Sequence, residues 1–98
     1  MLIRVLTMRV VPERLDDWMV FTRDIGFPGM LRQPGCRGIW RLHQHGAGTD
    51  YRVVTLWDSQ ADLDRFRTSD AMRELSAAAE GLTIRPSPEE LFDVVEDT

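Results

Sequence analysis

The 98-residue sequence predicts an α+β domain with the element order βαββαβ, in which two helices cover one face of a four-stranded antiparallel sheet. Four runs are rich in β-branched and aromatic residues, as strands are. Between them lie two stretches in which apolar residues recur every three or four positions, the period of a helix. Because this length allows one hydrophobic core, residues 1–98 are expected to form a single domain.

The first half of the chain supplies three strands and one helix. LIRVLTMRVV, residues 2–11, is the first predicted strand, and it ends at Pro12 because proline has no amide to continue a ladder. A helix is expected from Glu13 to about Gly26, since its first turn is acidic and its apolar residues form one stripe. FPGMLRQPGC is then expected to be a connector with two turns. RGIWRLHQH and YRVVTLWD follow as a hairpin across GAGT.

The second half supplies one helix and one strand. Ser59 is expected to cap the helix, because Asp62 three residues later completes a capping-box pattern. The triplet TSD at 68–70 should bend this helix, and Gly81 suits its C-terminal cap. The last strand is predicted at ELFDVVE, residues 90–96. The complete order is that of the ferredoxin-like fold.

Both faces of the predicted sheet carry apolar residues. In the third strand, Val53 and Trp57 point to one face, whereas Val54 and Leu56 point to the other. A sheet with one face in water should instead alternate apolar and polar residues. The helices cover only one face, so we expect the same face of a second copy to cover the other, which makes a homodimer.

The charge pattern limits the partners. The formal net charge is -4, there is no lysine, and the arginines are scattered, so a nucleic-acid-binding surface is not expected. No segment resembles a signal peptide or a membrane span, which predicts a cytoplasmic protein without a membrane partner. Cys36 is the one cysteine and cannot form an internal disulfide.

Three stretches resemble one known family: LIRVLTMRVVPE, PGCRGIWRLH and, most specifically, VVTLWDSQADLDRFRTSDAMREL. They are similar to the antibiotic biosynthesis monooxygenase domain, a branch of the dimeric α+β barrel proteins. The resemblance implies a homodimer whose two sheets close a barrel, with a pocket between sheet and helices in each subunit. It also implies one of several activities, because members include cofactor-free oxygenases of phenols and quinols, haem-degrading enzymes, and proteins with no known activity.

The haem-degrading branch requires residues that this chain lacks. As the resemblance implies, that branch has an Asn on the first strand, a Trp on the second helix and a haem-ligating His further along. The matching positions here are Thr7, Phe66 and Ser76, and none keeps the required residue type. We therefore expect neither haem nor another cofactor.

A cofactor-independent oxygenase needs an apolar, aromatic pocket with a base or cation near the phenolic oxygen. His43 is the candidate general base, because imidazole titrates near neutral pH, and Arg41 or Arg52 could stabilise the phenolate anion. These three could equally be solvent-facing strand residues. The other candidate substrate contacts are aromatic residues and one threonine: Trp18, Trp40, Trp57, Phe66 and Thr7.

Three alternatives stay open. His43 and His45 share a strand face, and Asp50 across the hairpin would complete a two-histidine, one-carboxylate metal site, although no second shell is evident. Trp57 lies where the third strand meets the second helix, so we interpret it as a residue that packs strand against helix more than as one that takes part in the reaction. A barrel that binds an apolar ligand without catalysis would use the same pocket.

Overall fold

An antiparallel sheet forms one layer of the molecule, and helices pack on one of its faces. The computed structural model describes residues 1–95. Its strands are β1 (Leu2–Val10), β2 (Cys36–Leu42), β3 (Asp50–Trp57), β4 (Thr83–Ile84) and β5 (Glu89–Asp93). The strand order is β2-β3-β1-β4, and β5 pairs with β1 beside β4. This is the ferredoxin-like order, so the predicted fold class is confirmed.

Two strands follow the helices, where the sequence analysis predicted one at residues 90–96. The two-residue β4 and the longer β5 pair with opposite ends of β1. Pro86 and Pro88 lie between them, and because proline cannot donate to a ladder, the chain leaves the sheet there. The sequence analysis missed β4, and the predicted end of the last strand at Glu96 lies outside the described residues.

The first helical layer, residues 12–31, extends further along the chain than predicted. A 3₁₀ turn (Pro12–Arg14) leads into α1 (Leu15–Phe21), a π-helical segment (Thr22–Gly26) and α2 (Phe27–Leu31). The prediction of a connector after Gly26 is therefore wrong for residues 27–31. Phe27 donates its amide to the carbonyl of Thr22, five residues earlier, and the wider turn restarts the helix. Pro28 then falls in the first turn of α2, where the missing amide costs little.

The second helical layer, residues 60–78, begins and breaks at the serines where the sequence predicted a cap and a bend. The hydroxyl of Ser59 accepts the amide of Asp62 at 3.2 Å, so the predicted cap of α3 (Gln60–Arg67) is confirmed. The predicted break at TSD is also confirmed, because Ser69 caps a separate helix, α4 (Asp70–Ala78), by accepting the amide of Met72 at 3.2 Å. Gly81 has a φ of 83°, which lets the chain turn back toward the sheet.

Two core clusters lie between the sheet and the helices. The first packs the ends of β1, β2 and β3 against α3, and its buried members are Leu2, Cys36, Trp57, Leu63 and Phe66. The second lies at the other end of β1, with Val10, Trp18, Val53 and Leu82. The space between the two clusters holds the cavity described below.

The opposite face of the sheet carries large apolar side chains, as the alternation predicted. Four of them are about half exposed: Trp40 (49%), Leu42 (50%), Phe92 (50%) and Ile84 (53%). Trp40 lies flat over Gly38, since a Cβ there would come within 2.7 Å of the indole. Single, scattered apolar side chains are normal on a protein surface, whereas these four lie together on one sheet face.

Candidate functional site

A cavity of about 330 Å³ opens between the sheet and the helices. The alternation of β1 turns Arg4, Leu6 and Met8 toward it, and β3 contributes Val53 and Thr55. The helices close the other sides. The cavity thus has one sheet wall and one helical wall, and its lining divides into an apolar part and a polar edge.

Aromatic side chains dominate the apolar part. Trp18 is 1% exposed and lies beside Phe21 and Phe27 on the first helical layer, while Phe66 lines the cavity from α3. The π-helical segment shifts the helical register so that residues on both of its sides reach the cavity. Gly26 makes room for this, because a Cβ there would lie 3.0 Å from the ring of Phe21. Flat apolar walls of this kind suit an aromatic ligand.

The polar edge lies where β1 meets β4 and β5. The Nε of Arg4 donates to Oε2 of Glu89 at 2.6 Å, and Arg67 binds the other carboxylate oxygen. The side chain of Arg4 is only 10% exposed. A buried guanidinium held by one carboxylate is a fixed positive charge in an apolar cavity.

Burial and the contacts among Arg4, Arg67 and Glu89 set the pKa values of this cluster. Burial lowers the pKa of Arg4 more than Glu89 raises it, but a guanidinium stays protonated at neutral pH. Burial by itself raises the pKa of Glu89, yet hydrogen bonds from Arg67 and Arg4 outweigh it, so the pKa lies below its ordinary value. Both groups are therefore ionised at neutral pH.

Further polar groups complete this edge. Arg85, on the connection between β4 and β5, donates from Nη2 to the backbone carbonyl of Ser76 at 3.2 Å. Thr83 and Ser87 line the cavity beside it. The polar edge is thus built by the end of α4 and the strands that follow it.

Arg41 holds the first helical layer against the sheet. Its Nη1 donates to the hydroxyl of Thr22 at 2.5 Å, and its guanidinium carbon lies 5.8 Å from the ring centroids of both Trp18 and Phe27. The Thr22 hydroxyl is also 3.0 Å from the carbonyl oxygen of Trp18. Arg41 therefore fixes cavity-lining residues without lining the cavity itself.

The family model for antibiotic biosynthesis monooxygenases matches residues 1–78. The chain belongs to the antibiotic biosynthesis monooxygenase family. The resemblance stated from the sequence is thereby confirmed. Because the matched region contains β1, both helical layers up to the last residue of α4 and the hairpin, it includes all of the cavity except the edge formed by residues 79–89.

Solved structures share this fold. A Bordetella bronchiseptica protein named after the same family has a TM-score of 0.87 at 20% identity, with 97% of both chains covered. A Caulobacter crescentus protein of the same family name has a TM-score of 0.82 at 21% identity, with 97% of this chain and 90% of that one covered. SnoaB, a cofactor-independent oxygenase from Streptomyces nogalater, solved as a point mutant, has a TM-score of 0.76 at 19% identity, with 98% and 94% covered. Such low identities show a common fold alone, and no curated protein matches the chain.

Two of the residues predicted from the sequence line the cavity of this antibiotic biosynthesis monooxygenase family member: Trp18 and Phe66. Trp57 does not line it. The indole is fully buried in the first core cluster, its ring centroid 5.6 Å from that of Phe66, and its Nε1 donates to the hydroxyl of Thr55 at 2.9 Å. This position agrees with the interpretation of Trp57 as a packing residue.

Three predicted contacts lie on the opposite face of the sheet. Thr7 pairs with Arg52 across β1 and β3, and Arg52 pairs with Leu42 on β2, so these side chains share a face. Trp40 points the same way. The structure therefore does not bring Thr7, Trp40 or Arg52 to the cavity of the same subunit. The sequence could not place them, since alternation groups residues by face but does not say which face the helices cover. Their roles as substrate contacts stay predictions.

His43 lies just beyond the end of β2, exposed and outside the cavity lining. Its Nε2 is 2.7 Å from the carbonyl oxygen of Gly48, which can only accept, so Nε2 donates this hydrogen bond. The imidazole stacks on Tyr51 with centroids 4.5 Å apart, and Tyr51 lies 5.0 Å from Trp18. The role of His43 as a general base stays a prediction.

The metal alternative is wrong for the part of the chain that the structure describes. Within residues 1–95, no three His, Cys, Asp or Glu side chains come together in a group that could hold a metal ion, so His43, His45 and Asp50 do not form a site. Over the same residues, none of the helices has the length and apolar character needed to cross a membrane.

The sequence analysis missed Arg4, Glu89 and Arg85. A signal for Arg4 was present, because it occupies a helix-facing position of β1 between Leu2 and Leu6. A charge at such a position requires a buried partner, and the strand that pairs with β1 supplies Glu89. Arg85 lies in a loop, and no pattern distinguishes it from the other arginines.

Proposed function

We propose that this chain is a cofactor-independent monooxygenase that oxidises a small electron-rich aromatic, a phenol or quinol, with O₂. The observation that carries the proposal is the cavity, which joins aromatic walls to the buried guanidinium of Arg4. Its volume of about 330 Å³ lies at the lower end for ligand pockets, so it suits one ring or a few fused rings.

Arg4 stabilises the phenolate in this proposal. A positive charge in a site that excludes water lowers the pKa of a bound phenol and so favours its anion. Glu89 and Arg67 hold the guanidinium in place. The phenolic proton leaves to water at the open polar edge.

The oxidation then balances without an external reductant. The phenolate transfers one electron to O₂, and the phenoxyl radical and superoxide combine at a ring carbon that bears hydrogen. Loss of that proton and cleavage of the O–O bond leave a quinone oxygen on the ring and release hydroxide, which becomes water. One oxygen atom enters the product, the other leaves as water, and all the electrons come from the substrate.

Two observations support the absence of a cofactor from this proposal. SnoaB, which shares the fold, is a cofactor-independent oxygenase. Phe66 and Ser76, which line the cavity, stand at positions where the resemblance to the haem-degrading branch calls for haem-binding residues, and neither side chain suits that task. A protein that only binds an apolar ligand would use the same cavity, and turnover separates the two functions.

The test is oxygen consumption with hydroquinone by EDTA-treated protein. Arg4→Gln should lower kcat/KM by about 10²- to 10³-fold, the usual effect of removing one anion-stabilising donor. Arg37→Gln changes an exposed arginine far from the cavity lining and is the matched control. His43→Ala should leave the rate near that of wild type, and circular dichroism confirms that each variant folds.

Each other outcome contradicts a particular step. If His43→Ala lowers the rate by about 10²- to 10⁴-fold while Arg4→Gln does not, the base is His43 and the cavity assignment is wrong. If EDTA abolishes turnover and added metal restores it, the reaction is not cofactor-independent. If the protein binds hydroquinone, together with other phenols, without consuming oxygen, it is a binding protein.

A second copy of the chain is proposed to cover the outer sheet face, defined by Trp40, Leu42, Ile84 and Phe92. These half-exposed side chains come from β2, β4 and β5, so the apolar surface extends across the sheet. A flat sheet face matches the same face of another copy around a twofold axis. The cytoplasmic location expected from the sequence also stays a prediction.

A further inference from the structure

The polar edge of the cavity holds arginines that differ in their ion pairing. Arg4 and Arg67 share one carboxylate, that of Glu89, through its two oxygens. Arg67 also pairs with Asp64 at 3.4 Å, so two carboxylates balance the two arginines of this cluster.

Arg85 adds a positive charge at the same edge that the Arg4 and Arg67 cluster does not balance. Its Nη2 donates to a backbone carbonyl, that of Ser76, which orients the guanidinium without neutralising it. Among residues 1–95, Arg85 has no carboxylate within ion-pair distance. Glu80 shares a neighbouring surface hollow with Arg85, but the two side chains do not form an ion pair.

We propose that the substrate of this cavity is an aromatic acid, a ring that bears a carboxylate or similar anionic group, and that Arg85 binds that group. The proposal rests on the oxygenase function above and names its substrate class. The ring lies against Trp18 and Phe27 in the apolar part, and the anionic group lies at the polar edge. Arg4, which is more deeply buried than Arg85, is left for the phenolate.

Calorimetric titration with a matched pair of ligands tests this assignment. The probes are 2,5-dihydroxybenzoate and its methyl ester, which share the ring and both hydroxyls but differ in charge. Wild type should bind the acid about tenfold more tightly than the ester, as one charge-assisted hydrogen bond at an exposed site would give. The preference should shrink as salt is added, because Arg85 is exposed.

Variants of Arg85 locate the effect. Arg85→Gln should lose the preference for the acid, whereas Arg85→Lys should keep most of it and Arg37→Gln all of it. Oxygen consumption with hydroquinone should be unchanged in Arg37→Gln, because Arg37 does not line the cavity.

Failure of this inference differs from failure of the oxygenase proposal. Equal binding of acid and ester by wild type, or an undiminished preference in Arg85→Gln, would overturn the assignment of Arg85 even if hydroquinone is oxidised. Loss of the preference in Arg85→Gln would support it even if no oxygen is consumed.

Discussion

Replacing Trp57 by alanine is expected to lower the free energy of unfolding by about 3 to 5 kcal/mol, the range for removing a large aromatic side chain from a core. The indole is fully buried, and its cluster neighbours Leu2, Cys36 and Leu63 come from three different elements. Because these elements are fixed by the sheet and by helix packing, they cannot collapse into the vacated space. Most of the free-energy cost of the cavity that the indole leaves should therefore remain.

The indole hydrogen bond can be measured separately. Trp57→Phe keeps a ring but leaves the buried hydroxyl of Thr55 without its donor, which costs about 1 to 3 kcal/mol. Thr55→Val leaves the indole N–H unpaired at a similar cost. Since the double variant leaves neither partner unpaired, the two changes together should cost about 0.5 to 3 kcal/mol less than their sum.

Urea unfolding followed by circular dichroism measures the stability of wild type and of the four variants. A single protein concentration is used throughout, because the stability of the proposed dimer would depend on concentration. Ile25→Ala, at an apolar residue that is 51% exposed, is the control and should change stability by less than about 0.5 kcal/mol. A loss below about 1 kcal/mol in Trp57→Ala would refute the packing role. Normal folding with no turnover in Trp57→Phe would instead place the indole in the chemistry.

Two other predictions concern the outer sheet face and the buried ion cluster. Trp40→Glu should convert the proposed dimer to a monomer in light scattering, because it places a charge in an apolar interface. A wild-type monomer at micromolar concentration would refute the interface. Glu89 has a lowered pKa in the folded state, so its ionised form stabilises the fold at neutral pH, and this contribution is lost as pH falls through that lowered pKa. The free energy of unfolding of Glu89→Gln should fall less steeply than that of wild type as the pH is lowered from about 7 to 3. Urea titration at each pH measures it, and Glu13→Gln is the surface control. Equal slopes in all three proteins would show that Glu89 is not the group responsible.

The order of the elements could be predicted because each rests on a local signal. Strand composition, the serine caps and the glycine turns act within a few residues, and the Ser59 cap and the break before Ser69 are both present. The end of the first helical layer could not be predicted, since Pro28 is compatible with either a turn or the start of a new helix. The choice depends on the packing of Phe27 and Met30 over the sheet, which no local pattern encodes.

The site was predictable only in part. Trp18 and Phe66 stand out as large aromatic residues on helical stripes, and both line the cavity. The polar edge was missed because Arg4 and Glu89 are 85 positions apart, and only the pairing of β5 with β1 brings them together. The sequence analysis chose His43 because an imidazole can act as a base, whereas the hairpin leaves this side chain exposed and outside the cavity lining.

Phe66 connects the packing of Trp57 to the cavity. It is the member of the first core cluster whose ring both lies beside the indole, 5.6 Å between centroids, and lines the cavity wall. Thr55 has the same double position, because its hydroxyl accepts the indole N–H while its side chain lines the cavity. A change at Trp57 can therefore alter substrate affinity through these two neighbours without any contact between indole and substrate. It follows that a moderate rise in KM for Trp57→Phe is compatible with a packing role, whereas a loss of kcat at saturating substrate is not.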